Sequence, residues 1–170
     1  MKNNIWAKTI LATYKYLDTF ADSIDKLVEK QALNSFYYVS ASKIDNSVMA
    51  VSNRIIDLME RKKKLINYKV AIGQALETID SQLAEILVER YMDNDPSEDI
   101  AKRHNLAMRT YFRRLLRAEE LFMTAMERKG YSEERLYNDL KNEQIVMDVY
   151  HNFLLKKNLE SDFESLEQAG

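Results

Sequence analysis

Between Ile100 and Ala118 the sequence carries Lys102, Arg103, Arg109, Arg113, Arg114 and Arg117, six cations with no Asp or Glu among them. Ammonium and guanidinium donors at this density suit polyanion recognition: charge-assisted hydrogen bonds to phosphate oxygens, and bidentate pairing of Arg with O6 and N7 of guanine. The whole chain has a formal net charge of only -2. Without these six, its 25 Lys plus Arg fall to 19 against 27 Asp plus Glu, so positive charge is concentrated where a polyanion would dock.

Covalent chemistry has no comparable foothold. His104 and His151 are the two histidines and lie far apart in sequence; His104 falls inside the basic stretch, where a phosphate contact is its simpler role. Gly73, Gly130 and Gly170 are isolated, so there is no glycine-rich phosphate loop. Glu119 with Glu120, and Glu133 with Glu134, are sequence neighbours that diverge from a helix and read as solvated faces. The absence of cysteine excludes disulfides and thiolate metal sites and permits a reducing, cytoplasmic setting. The expectation is a non-enzymatic binding protein without cofactor or metal.

The elements that must position the basic stretch are helical. With Gly 3 and Pro 1 in 170 residues, the punctuation of sheets and hairpins is nearly missing, which predicts an all-α fold. Asp80 or Ser81 can cap a short helix whose apolar face is Leu83, Ile86, Leu87 and Tyr91. "DPSE" then supplies Asp95 as N-cap, Pro96 as first helical residue and Glu98 at the third position. That helix is brief, because Asn105 suits the positive φ of a tight turn and Leu106 can plug the angle that follows. The next helix starts near Ala107 or Met108 and buries Tyr111, Leu115, Ala118, Phe122 and Met126.

Helix, tight turn and helix, with Ile100 and Ala101 packing from the shorter one, form a helix-turn-helix pattern. On the leading face of its second helix, Met108, Arg109, Phe112 and Arg113 are the candidate base contacts in a major groove; Lys102, Arg103, Arg114 and Arg117 are the candidate phosphate contacts.

"LAEILVERYMDNDPSEDIAKRHNLAMRTYFRRLLRAEELF", residues 83 to 122, resembles region 4 of sigma-70-family RNA polymerase sigma factors and the sigma-like phage and prophage late regulators built on that module. The likeness is carried by "ILVERY", by "SEDIAKRHNLA" and by "RTYFRRLLRAEELF" in place of the recognition helix. It implies a reader of promoter DNA, with Met108, Arg109, Phe112 and Arg113 at the leading recognition positions and RNA polymerase as a further candidate partner. Ala107 stands where the family usually has a Ser or Thr cap, Asn105 where a turn Gly is common, and Tyr111 where a smaller aliphatic is usual. Residues 1 to 75 show no likeness to the sigma domain that melts DNA, so a self-sufficient sigma factor is not implied.

The rest of the chain is read from periodicity. Ile5 or Trp6, Ile10, Leu17, Ile24, Leu27 and Val28 predict one long helix from about Asn4 to Leu33, broken by "NSFYYVSAS". Asp45 or Asn46 can cap a second carrying Val48, Val51, Ile55, Leu58, Leu65, Ile72 and Leu76. Phe36, Tyr37 and Tyr38 would close the core where the two helices turn, and Arg61 to Lys64 read as a solvated face. A hairpin this long with a narrow stripe needs the C-terminal helix or a second subunit against it, so a homodimer is expected.

After Gly130, Ser132 caps a final helix with the stripe Leu136, Leu140, Met147 and Leu154, ending near Lys157 before an acidic mobile tail. The expected organisation is thus 1–78 hairpin, 79–130 helix-turn-helix, 131–157 terminal helix and 158–170 tail. No membrane partner is expected: the longest charge-free run, Gln31 to Ser42, is shorter than the about 20 apolar residues of a span. The function expected is DNA-binding transcriptional regulation on double-stranded DNA. The alternative is an all-α protein-interaction or assembly factor, of the phage packaging or polymerase-associated kind, that binds no DNA.

Overall fold

The computed structural model describes the backbone of residues 4–39 and 44–168, and the side chains of residues 4–34 and 48–158. All regular structure among them is helical, with no strand, and the fold is all-α. The chain forms two compact units, one of Met1–Tyr14 with Ala71–Gly170, the other of Lys15–Val70.

The first unit holds the basic stretch. Helix α1 (Ile5–Thr13) buries Ile5, Trp6, Ile10 and Leu11. It packs against the C-terminal helix α8 (Gln144–Gln168), where Trp6 and Tyr150 ring centroids lie 4.7 Å apart. The expected 1–78 boundary is therefore corrected: the apolar face of α1 is spent on α8, on the π-helical turn Val88–Met92 and on α6, and α1 belongs to the unit of the basic helices.

Asp80 caps α4 (Ser81–Leu87) as expected, its carboxylate accepting from the N–H groups of Gln82 and Leu83. After Val88–Met92 and left-handed Asn94 come α5 (Ser97–Arg103) and α6 (Met108–Arg128). α6 buries Tyr111, Leu115, Ala118, Phe122 and Met126, the five positions its spacing predicts.

Gly130, at φ 83, ends α6: Gly130 N–H bonds Glu127 C=O and Tyr131 N–H bonds Met126 C=O, so one left-handed residue satisfies two terminal carbonyls. Ser132 then caps α7 (Glu133–Leu140) through the N–H of Arg135. The single terminal helix expected is two, because the chain turns at residues 141–143, where Glu143 N–H bonds Leu140 C=O and the Glu143 side chain is buried. α8 continues to Gln168 instead of ending near Lys157.

The second unit is a helical hairpin. After a 3-10 turn at Tyr14–Tyr16, which interrupts the single helix expected, α2 (Leu17–Val39) runs six residues beyond Leu33. "NSFYYV" therefore stays helical, since it holds neither Gly nor Pro to break the backbone; the side chains of Phe36, Tyr37 and Tyr38 lie outside those described. α3 (Ile44–Glu77) returns from there. It already includes Asp45 and Asn46, so neither stands ahead of the helix as its cap. Asp25–Lys62 at 2.6 Å and Asp18–Lys69 fix an antiparallel register. Of the expected stripe only Leu65 and Ile72 are buried, while Val51, Ile55 and Leu58 are half-buried.

Candidate nucleic-acid interface

The joint between α5 and α6 is set by backbone chemistry. α5 ends at His104; Asn105 takes φ 53, its N–H bonds Lys102 C=O at 3.1 Å, and Leu106 N–H reaches back to Ala101 C=O at 2.8 Å. This is the paired-bond helix terminus that usually uses Gly, and the Asn side chain tolerates the left-handed backbone at modest cost. Ile100 and Ala101 are buried under the joint, and α5 packs on α6.

The start of α5 differs from expectation. Pro96, with φ -60 and ψ 137, is the N-cap, so Ser97 opens the helix and the capping arrangement of Asp95 with Glu98 does not form. A stronger partner wins: the Asp95 carboxylate takes the guanidinium of Arg103, a charge-assisted bond worth roughly twice a neutral one. Asp95 C=O accepts from Arg90 Nη1 at 3.0 Å.

Protein partners divide the cations into two groups. Met108, Arg109, Phe112 and Arg113 all lie exposed on the first two turns of α6, at spacings that place them on adjoining rows of one face. Neither Arg109 nor Arg113 meets a carboxylate among the described residues.

The four predicted phosphate contacts already have protein partners. Lys102 lies 4.0 Å from Asp99, Arg114 donates to Gln82 Oε1 at 3.4 Å, and Arg117 lies 3.5 Å from Glu120. Arg103 joins Asp95 and, at 3.4 Å, Glu89. The Asp95 hydrogen bond is the main influence holding the Arg103 guanidinium above its usual pKa. His104 turns the same way, Nε2 lying 3.0 Å from Glu89 Oε2 with 15% of its side chain exposed, which corrects its assignment as a phosphate contact. Glu89, which the sequence reading passed over, is the acid that braces the end of α5 from the π-helical turn.

The largest departure lies beneath this face. Glu119 is 1% exposed, not solvated. It accepts from the Tyr91 hydroxyl, lies 3.9 Å from Lys8 Nζ of α1, and leaves its second oxygen without a hydrogen bond. Burial pushes its carboxyl above the ordinary range, outweighing the opposing pull of Lys8 and of the Tyr91 hydrogen bond. Burial likewise keeps the Tyr91 phenol protonated far above its ordinary value. The signal was present in the spacing, since Glu119 is four residues after Leu115 and three before Phe122, on the face that buries both.

No family model, curated protein or solved structure matches the chain. Among the described residues there is no cluster of metal-ligating side chains, and no helix is long and apolar enough to cross a membrane.

Proposed function

We propose that the chain is a DNA-binding transcriptional regulator that reads duplex DNA with α5, its turn and α6, in the manner of a sigma region 4-like module. One observation carries this reading: Arg109 and Arg113 stand exposed and free of acids beside Met108 and Phe112 on the leading turns of a helix set off by a tight turn. A helix so presented fits a major groove about 12 Å wide, where Arg pairs with guanine and an apolar side chain meets the thymine methyl. α6 has no side-chain N-cap, which leaves its first-turn N–H groups available to a phosphate. Lys102, Arg114 and Arg117 flank this face and would exchange weak surface partners for phosphates, while Arg103 would have to release Asp95 and Glu89. RNA polymerase is the second partner that the sigma-like resemblance implies.

The test is duplex DNA affinity across a salt series, for the wild type and for Arg109→Ala with Arg113→Ala. Each phosphate contact adds about -0.9 to the log-log slope, so three to four contacts predict roughly -3 to -4. Loss of two guanine-pairing arginines should weaken binding at least roughly 30-fold, from about 1–3 kcal/mol each. Absence of binding at low salt, or indifference to the double substitution, would sink the reading. It would favour the assembly-factor alternative, which draws its support from the exposed apolar side chains of the hairpin.

A further inference from the structure

The hairpin carries a second apolar stripe that its own fold does not cover. On α3, Met49, Ile56, Met59, Ile66 and Val70 follow one another at steps of seven, three, seven and four, the a and d spacing of a helix that packs against another helix. They are 64%, 54%, 60%, 45% and 53% exposed, respectively. Side chains of this size at half exposure offer on the order of 100 Å² each; the five approach the few hundred Å² beyond which apolar patches on monomers become rare. They also supply most of the about 800 Å² per partner of a standard interface.

The same part of the hairpin lacks a core. From residue 48 to residue 64 no side chain of α3 is buried, and between residues 25 and 34 none of α2 is. Between the arms runs a groove of about 330 Å³ lined by Ile24, Val28, Met59, Lys62, Lys63 and Ile66. Two helices held by ion pairs across an open apolar groove form half of a bundle.

Charge indicates what the other half is. α2 carries Asp18, Asp22, Asp25 and Glu29 against Lys26 and Lys30, whereas α3 from Val48 to Val70 carries Arg54, Arg61, Lys62, Lys63, Lys64 and Lys69 against Asp57 and Glu60. Asp18 and Asp25 spend their charge on Lys69 and Lys62 within the hairpin, which leaves Asp22 and Glu29 on α2, and Arg54 and Lys63 on α3, without a partner among the described residues and of opposite sign, so two copies of the hairpin can complement each other. We infer that a second copy of this chain covers the stripe, the two hairpins forming an isologous four-helix bundle in which the basic α3 of each lies against the acidic α2 of the other. Lys63, which occupies an a position between Met59 and Ile66, would then fix the pairing by meeting acids of the partner, the usual role of a lone charged residue in such a seam. This inference is independent of DNA reading.

Light scattering and sedimentation of the full chain at micromolar concentration test it without DNA. The wild type is expected at twice its 20.0 kDa chain mass. Ile56→Glu with Met59→Glu, at exposed positions where folding should survive, is expected to give the monomer mass with unchanged helical circular dichroism, a rise in dissociation constant of at least roughly 100-fold. Ile66→Glu is a second variant should the first lose helicity. Lys63→Glu and Asp22→Lys should each weaken association alone and restore it when mixed, because the crossed arrangement then pairs opposite charges. A monomeric wild type overturns the inference and leaves the stripe to a different protein. A dimer indifferent to both stripe variants places the contact elsewhere and overturns it equally. Failure of the mixed charge variants to associate removes the crossed arrangement.

Discussion

Replacing Glu119 by Gln should make the unit that holds the basic helices more stable at neutral pH, although it alters a buried residue with a hydrogen-bond partner. Gln keeps the shape and an oxygen for the Tyr91 hydroxyl, and removes the charge that burial disfavours. The sign follows from the direction of the shift. A carboxyl whose folded pKa lies above its free value contributes stability below about pH 4.5 and loses it as pH rises through the folded value. Proton uptake bounds the size: the folded chain cannot suffer more from the ionised carboxylate than the cost of protonating it at pH 7. That is two and a half pH units above the free value of 4.5, or about 3 kcal/mol.

The Lys8 contact at 3.9 Å offsets part of this and is lost with the charge, so a net gain of about 1–2 kcal/mol is expected for Glu119→Gln at pH 7, shrinking toward zero near pH 4. Trp6, the one tryptophan, is buried in the same unit, so its fluorescence in urea titrations between pH 4 and pH 8 follows the relevant transition. A destabilisation by Glu119→Gln that stays constant across this range would refute the argument.

Tyr91→Phe leaves the first oxygen of Glu119 buried without its donor and should cost about 1–3 kcal/mol by the same assay. At Asn105, φ 53 makes Gly the better residue and Val a poor one; chemical denaturation should show Asn105→Gly neutral to about 1 kcal/mol stabilising and Asn105→Val about 1–2 kcal/mol destabilising. Gly73 lies within α3 with nothing within 4 Å of an added Cβ, so Gly73→Ala should raise stability by about 0.5–1 kcal/mol in thermal unfolding.

The parts of the fold readable from the sequence were those in which local chemistry and burial agree. α6 repeats apolar residues at steps of four and three, and all five are buried; Asp80, Ser132, Asn105 and Gly130 each perform the cap or turn that their side chains suit. Legibility failed where residues of one type compete for partners through space. Asp95 looks like a cap until Arg103, eight residues on, offers a stronger bond, and Glu119 looks solvated until Lys8 and Tyr91 converge on it. Arg103 lies in the same stretch but outside the capping pattern, and Glu119, whose spacing put it on the buried face, finds its partners in α1 and the π-helical turn. The same holds for α1: its periodicity runs on toward α2, and only contacts far away in sequence, with α8, the π-helical turn and α6, assign it to the other unit. Of the candidate interface, the exposure of Met108, Arg109, Phe112 and Arg113 followed from the helical period, whereas the inward engagement of Arg103 and His104 depended on Glu89.

The division of one compact unit between the two sides of an inserted hairpin also constrains the order in which this protein is made. Trp6 leaves the ribosome more than a hundred residues before Tyr150, so during synthesis α1 lacks α8, its most extensive packing partner, while the hairpin and the basic helices emerge. Its docking closes a loop that spans most of the chain. Such closure adds only slowly to the entropy cost with length, yet it delays native contacts of this kind until late in folding. Nascent chains stopped before α8 would therefore show α1 more open to protease than in the full chain, while α4 to α6 are already protected.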